Sequence, residues 1–116
     1  MWGHYKTKNG DLYVVADGAS THEGKKTGGD VVRYIDERIR KDAARIGRTH
    51  ELKELLYSIN ADSAKVNDGA YAAIAGILHR ANDLFAFGAG DVSILARKPS
   101  GKLLQVLPLD LLMEQD

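Results

Sequence analysis

A chain of 116 residues, 44% hydrophobic and 28% charged, suits one globular domain, residues 1–116, with a modest core. Sixteen basic residues cancel sixteen acidic ones, so no charge excess argues for nucleic acid or an anionic membrane as partner. With no cysteine there are no disulfides and no thiolate metal sites.

No apolar run approaches the ~20 residues that span a bilayer, and residues 1–6 lack the apolar stretch of a signal peptide, so a cytoplasmic location is expected. Asn9-Gly10 is a tight-turn signal that feeds a strand over residues 11–16. After a small polar loop, Val32, Ile35, Ile39, Ala43 and Ile46 recur at spacings of three and four and predict a helix over residues 29–46. Gly47 is its C-cap, and Thr49 is the N-cap of a second helix with Leu52, Leu55, Leu56, Ile59, Ser63 and Val66 on one stripe. So short a connection makes the two helices an antiparallel pair. Asn67-Asp68-Gly69 stops the second.

The period then changes. Residues 70–78 are small and apolar at nearly every position, which predicts a strand covered on both faces. A turn at residues 80–83 leads to a strand over 84–87, a tight Gly88-Ala89-Gly90-Asp91 loop, a strand over 92–97, a hairpin loop at 98–102 and a last strand over 103–107. Strand, helix, helix and a meander of strands predict an α+β fold: antiparallel β layers flanked by an antiparallel helix pair.

Two aspartates sit where a strand meets a glycine, Asp17 before Gly18 and Asp91 after Gly90. Hard cations take carboxylate and backbone carbonyl oxygens, and such positions supply both. Either dipeptide alone is most simply a turn. His22 and Glu23 read as solvated loop residues. Arg33, Arg38, Arg40, Lys41, Arg45 and Arg48 are interrupted by Asp36 and Glu37 and read as a solvated helix surface. His79-Arg80 reads as a polar strand end. Lys25-Lys26, beside the Asp-Gly loop, is the nearest candidate for attracting phosphate.

The segment Val14-Val15-Ala16-Asp17-Gly18, followed by a small-residue loop with His22 and Gly24 and then a helix, resembles the signature of metal-dependent (type 2C) protein phosphatases. Residues 70–78 resemble that family's small-residue strand after its helix pair. Residues 84–93 resemble its Gly-Asp-Ser segment, and the hairpin ending near Leu109-Asp110 resembles the family's next stretch of chain. The resemblance implies half of an α-β-β-α sandwich. It implies that Asp17 and the Gly18 carbonyl bind Mg²⁺ or Mn²⁺, that Asp91 serves a further metal, and that a phosphoserine or phosphothreonine ester of a phosphoprotein is hydrolysed.

The departures from the family pattern are equally specific. No acidic motif precedes the Asp-Gly strand except Asp11, too close to it to serve. The family's later metal-binding aspartates have no counterpart, and the chain matches roughly half of such a catalytic domain. Ser20-Thr21 replace its paired glycines, and Val92-Ser93 its serine-arginine. These departures imply weak or impaired activity, with a non-catalytic binding or regulatory module, docking a partner protein, as the alternative. Because one helix pair covers only one face of a sheet, two copies are expected to pack through the sheet face as a homodimer.

Overall fold

The computed structural model describes residues 1–20, 26–66, 70–89 and, as backbone alone, 94–97 and 103–107. The elements run β1 (Trp2–Lys6), β2 (Gly10–Ala19), α1 (Gly28–Asp42), α2 (Thr49–Val66), β3 (Tyr71–Arg80), β4 (Asp83–Ala89), β5 (Ile94–Arg97) and β6 (Leu103–Leu107). The first four strands form one antiparallel sheet in the order β1-β2-β3-β4, and β5 pairs with β6 separately. The fold is therefore α+β, as the element order predicts.

α1 starts at a capping box. The Thr27 hydroxyl accepts from the Asp30 backbone N–H at 3.1 Å, and the Asp30 carboxylate accepts from the Thr27 N–H at 2.8 Å. This holds the Asp30 carboxyl below the usual carboxylate range. α1 ends at Asp42, earlier than the expected Ile46, and a 3-10 turn over Ala43–Arg45 completes it. The Glu51 side chain accepts from the Gly47 and Arg48 N–H groups at 3.1 and 2.9 Å, anchoring the entry to α2. α2 folds back on α1, so that Arg38 reaches Ser58 and Asp62.

The helices cover one face of the sheet. Leu12, Val14, Leu78 and Phe87 from the strands meet Val31, Ile35, Ile39, Leu52 and Ile59 from the helices, and this is the core. One strand is added to those expected, and two expectations need correction. Residues 2–6 form a strand, paired from Trp2 opposite Val15 to Lys6 opposite Asp11. β2 does not stop at Ala16 but continues through Asp17 and Gly18, opposite Ala73 and Ala72 of β3. Residues 70–78 and 84–87 are not covered on both faces within one chain: Ile77 is only half-buried, and Leu84 is 67% exposed.

Candidate functional site at the Asp17 rim

Side chains alternate along β2. Leu12, Val14 and Ala16 are buried under the helices, while Tyr13, Val15 and Asp17 are exposed on the opposite face. Asp17 therefore projects from the uncovered face, near the end of the sheet where the chain leaves for α1. The Met1 amino group donates to the Ala16 carbonyl at 3.0 Å, and the Ala16 N–H donates to the Met1 carbonyl at 2.9 Å. Bonding direction alternates along an antiparallel ladder, so the Gly18 N–H and C=O are directed to the same side as those of Ala16. No residue of β1 stands opposite them. An exposed carboxylate and a main-chain carbonyl on an open strand edge are thus neighbours.

Glycine is required here by close approach. A Cβ on Gly18 would run into the Gly28 backbone, and one on Gly28 into that of Gly18. This contact seats the start of α1 directly on the rim. The Gly28 N–H donates to Ser20 Oγ at 2.9 Å, and the Asp30 and Val31 N–H groups are taken by Thr27. Most of the helix's free donors are therefore satisfied internally and are not aimed at an anion.

The donor set can be compared with a hard-cation site. Asp17 and the Gly18 carbonyl fit one cation in donor type, but two ions need several anionic oxygens. Among the described residues, no three of His, Cys, Asp and Glu converge. Asp11, the other acidic residue of β2, lies six residues along the strand, about 20 Å away. It accepts from His4 Nε2 at 2.7 Å and pairs with Lys6 Nζ at 2.8 Å, with its carboxyl held below the usual range first by Lys6. Asp91, His22, Glu23, Gly24 and Lys25 lie outside the described residues, as do Asn67-Asp68-Gly69, the loop over 98–102 and Leu109-Asp110. Lys26 is described and exposed.

Arg33, Arg40 and Arg45 lie on a solvated surface, paired with Asp30, Asp36 and Asp42. Arg38 departs from that expectation: it is partly buried between the helices and bonds Tyr34, Ser58 and Asp62. Arg80 clamps a turn, bonding Asp83 at 2.9 Å and Thr49 at 3.0 Å.

Two concave regions lie apart from the rim carboxylate. An apolar cleft of about 770 Å³ opens between α2 and β3–β4, lined by Leu56, Ile59, Ile74, Phe85 and Phe87, with the Lys53 ammonium 5.6 Å from the centre of the Phe85 ring. A shallower groove of about 170 Å³ crosses the uncovered face beside Trp2, Tyr13, Val15, Ala75 and Ile77. Sequence reasoning missed the β1 contribution to this face. The signal was present, because a hairpin turn at Asn9-Gly10 requires a strand before it as well as after.

No helix of the described residues is long and apolar enough to cross a membrane. No family model, curated protein or solved structure matches the chain.

Proposed function

We propose that the chain is a type-2C-like phosphatase domain of weak activity, acting in the cytoplasm on phosphoserine or phosphothreonine esters at the Asp17 rim. The observation that carries this reading is the exposed Asp17 carboxylate beside the open-edge backbone of Gly18, held by the Gly18–Gly28 contact within a strand-helix-helix-strand order. Asp17 and the Gly18 carbonyl would hold Mg²⁺ or Mn²⁺. When bound, such an ion lowers the pKa of its water and neutralises charge on the phosphate oxygens. The residues themselves do less: the rigid strand fixes the carboxylate, and its exposure leaves room for a phosphate ester. With a single carboxylate among the described residues, binding is weak and so is turnover.

The test is hydrolysis of a generic aryl phosphate with Mn²⁺, with Mg²⁺ and with chelator, comparing wild type with Asp17→Asn. Metal-dependent turnover that falls by about 100-fold or more in the variant is the expected result. Asp17 is exposed, so the exchange leaves stability within about 0.5 kcal/mol and keeps the comparison clean.

Absence of turnover in folded protein supports a second reading, a non-catalytic module that binds a partner protein. That reading is favoured by one specific observation: an apolar sheet face carrying Trp2 and Val15 in the open.

A further inference from the structure

The core has one incomplete side. Val31, Ile35, Ile59 and Phe87 belong to the core, and they also line the apolar cleft of about 770 Å³ between α2 and β3–β4. Protein interiors are close-packed, with few voids larger than a water molecule, so an opening of this size against the core is unfilled packing space. The cause is local. α2 packs against α1 and β3, and the rings of Phe85 and Phe87, 6.4 Å apart between centres, line the open space from β4. Among the described residues of the lining, Lys53 is the sole charged one. Its ammonium lies 5.6 Å from the centre of the Phe85 ring and forms no ion pair with a described residue.

We infer that a segment of the same chain, Pro108-Leu109-Asp110-Leu111-Leu112-Met113-Glu114-Gln115-Asp116, fills this cleft as a short amphipathic helix. The segment lies outside the described residues, but the strand that leads into it does not. Ala89, the last residue of β4, lines the cleft. Ile94 follows five residues later and pairs with Leu107, and β6 lies against β4. Five extended residues cover at most about 17 Å, so the chain leaves β6 within reach of the Ala89 end of the cleft.

The length matches. From Ala89 back to Phe85, beside Lys53, is about 14 Å along the strand. Nine helical residues are about 13 Å long. The chemistry matches as well. Pro108 cannot donate to a strand ladder and suits the first turn of a helix, where its missing N–H costs nothing. Leu109, Leu112 and Met113 then follow at spacings of three and four and share one face, with Asp110 and Glu114 beside it and Leu111 opposite. The segment has acidic residues and no basic one, whereas the lining has one ammonium and no carboxylate. A helix running from the Ala89 end towards Phe85 brings Glu114 towards Lys53.

So short a helix is marginal in water by itself, so helix formation and docking are one event. The attachment through β6 makes that event intramolecular, at an effective concentration of roughly millimolar, and even a weak contact then holds the segment in place.

The test uses the full chain without metal or phosphate ester, so it stands or falls separately from the hydrolysis experiment. Nuclear Overhauser contacts in methyl-labelled protein are expected to join Leu109 to Ala72 and Ala89, and Leu112 and Met113 to the Phe85 and Phe87 rings, unchanged on dilution. Absence of these contacts, or their reverse order along β4, overturns the proposal. Contacts that vanish on dilution place the segment in the cleft of a neighbouring copy and overturn it too. Leu112→Asp is expected to abolish the contacts and to raise binding of an anilinonaphthalene dye by about 5-fold or more as the cleft opens. Leu111→Asp, on the opposite side of the helix, is expected to leave both unchanged. Equal effects of the two substitutions overturn the assigned face, and wild-type dye binding as strong as that of Leu112→Asp overturns occupancy of the cleft. Unchanged amide shifts in β1–β3 confirm that each variant is folded.

Discussion

The two faces of the β1–β4 sheet are built from the same strands, yet they meet different surroundings. The covered face is apolar throughout its core, while the open one mixes Trp2, Tyr13 and Val15 with Lys6, Asp11, Asp17 and His79. On β2 the residues Leu12, Val14 and Ala16 disappear under α1 and α2, while Tyr13 and Val15, one position away, remain open. Apolar character in a strand therefore does not reveal which face the chain itself covers; that depends on how many helices are available. The helix pair supplies one layer, and among the described residues the second face stays uncovered. The sharpest way to break this comparison is to truncate one residue on each face. Leu12→Ala should cost about 3 kcal/mol in urea unfolding, because Leu12 is fully buried and its cavity cannot refill. Val15→Ala, measured at concentrations too low for association, should stay within about 0.5 kcal/mol of wild type. Equal losses would show that the open face is packed even in an isolated chain.

The covered face is also where backbone meets backbone. Gly18 of β2 and Gly28 of α1 touch without room for a methyl group on either. Gly28→Ala should therefore cost about 2 kcal/mol, a smaller loss than Leu12→Ala because the helix can shift away from the strand. The helix end and the Asp17 rim would move together. Heteronuclear NMR shifts that spread from Gly28 into residues 16–20 would confirm the coupling, and shifts confined to α1 would refute it.

Much of this layout is legible in the sequence. The three-and-four spacing of Val32, Ile35 and Ile39 marks the helix, and the short connection through Gly47 marks the pairing of the two helices. The caps are misplaced: α1 is capped at Ala43 rather than Gly47, and Thr49 is the first residue of α2 rather than its N-cap. Asp17-Gly18 marks the strand end that carries the exposed carboxylate. The small-residue run over 70–78 misleads, because small apolar residues suggest cover on both faces. The structure supplies another reason for them: the Phe87 ring lies across Gly76, where a Cβ would collide with it and with the Tyr13 carbonyl. Gly76 makes room for a large neighbour within the same sheet. β1 escapes sequence reasoning because five residues with a glycine among them have little periodicity of their own, and only their pairing with β2 defines them. Within the candidate site, convergence is not legible at all. Asp11 and Asp17 are close in sequence but stand at opposite ends of one face, because an extended chain moves about 3.4 Å per residue.

A smaller loss than that of Gly28→Ala is expected at the margin of the covered face, where β1 meets α1. Tyr5 is buried, and its hydroxyl donates to Asp36 Oδ1 at 2.6 Å; Arg40 donates to the same oxygen at 3.0 Å and lies 5.3 Å from the centre of the Tyr5 ring. Burial, followed by the bond to Asp36, pushes the Tyr5 hydroxyl pKa well above its ordinary value of 10.0. The Tyr5 bond, followed by Arg40, holds the Asp36 carboxyl below its ordinary 3.8. Tyr5→Phe keeps the ring and its packing and should cost about 1 kcal/mol at neutral pH, because Asp36 retains Arg40 and water. The pH dependence identifies the bond. Asp36 has a lowered folded-state pKa, so its share of stability is present above pH 3.8 and is lost as pH falls through the folded value. Tyr5 has a raised one, so its share is present below pH 10.0 and is lost as pH rises from there through the folded value. The gap between wild type and Tyr5→Phe should therefore be widest between these limits and close at both ends. A gap that stays constant from acid to alkali would assign the loss to packing, and the covered face would then be held at this margin by apolar contact alone.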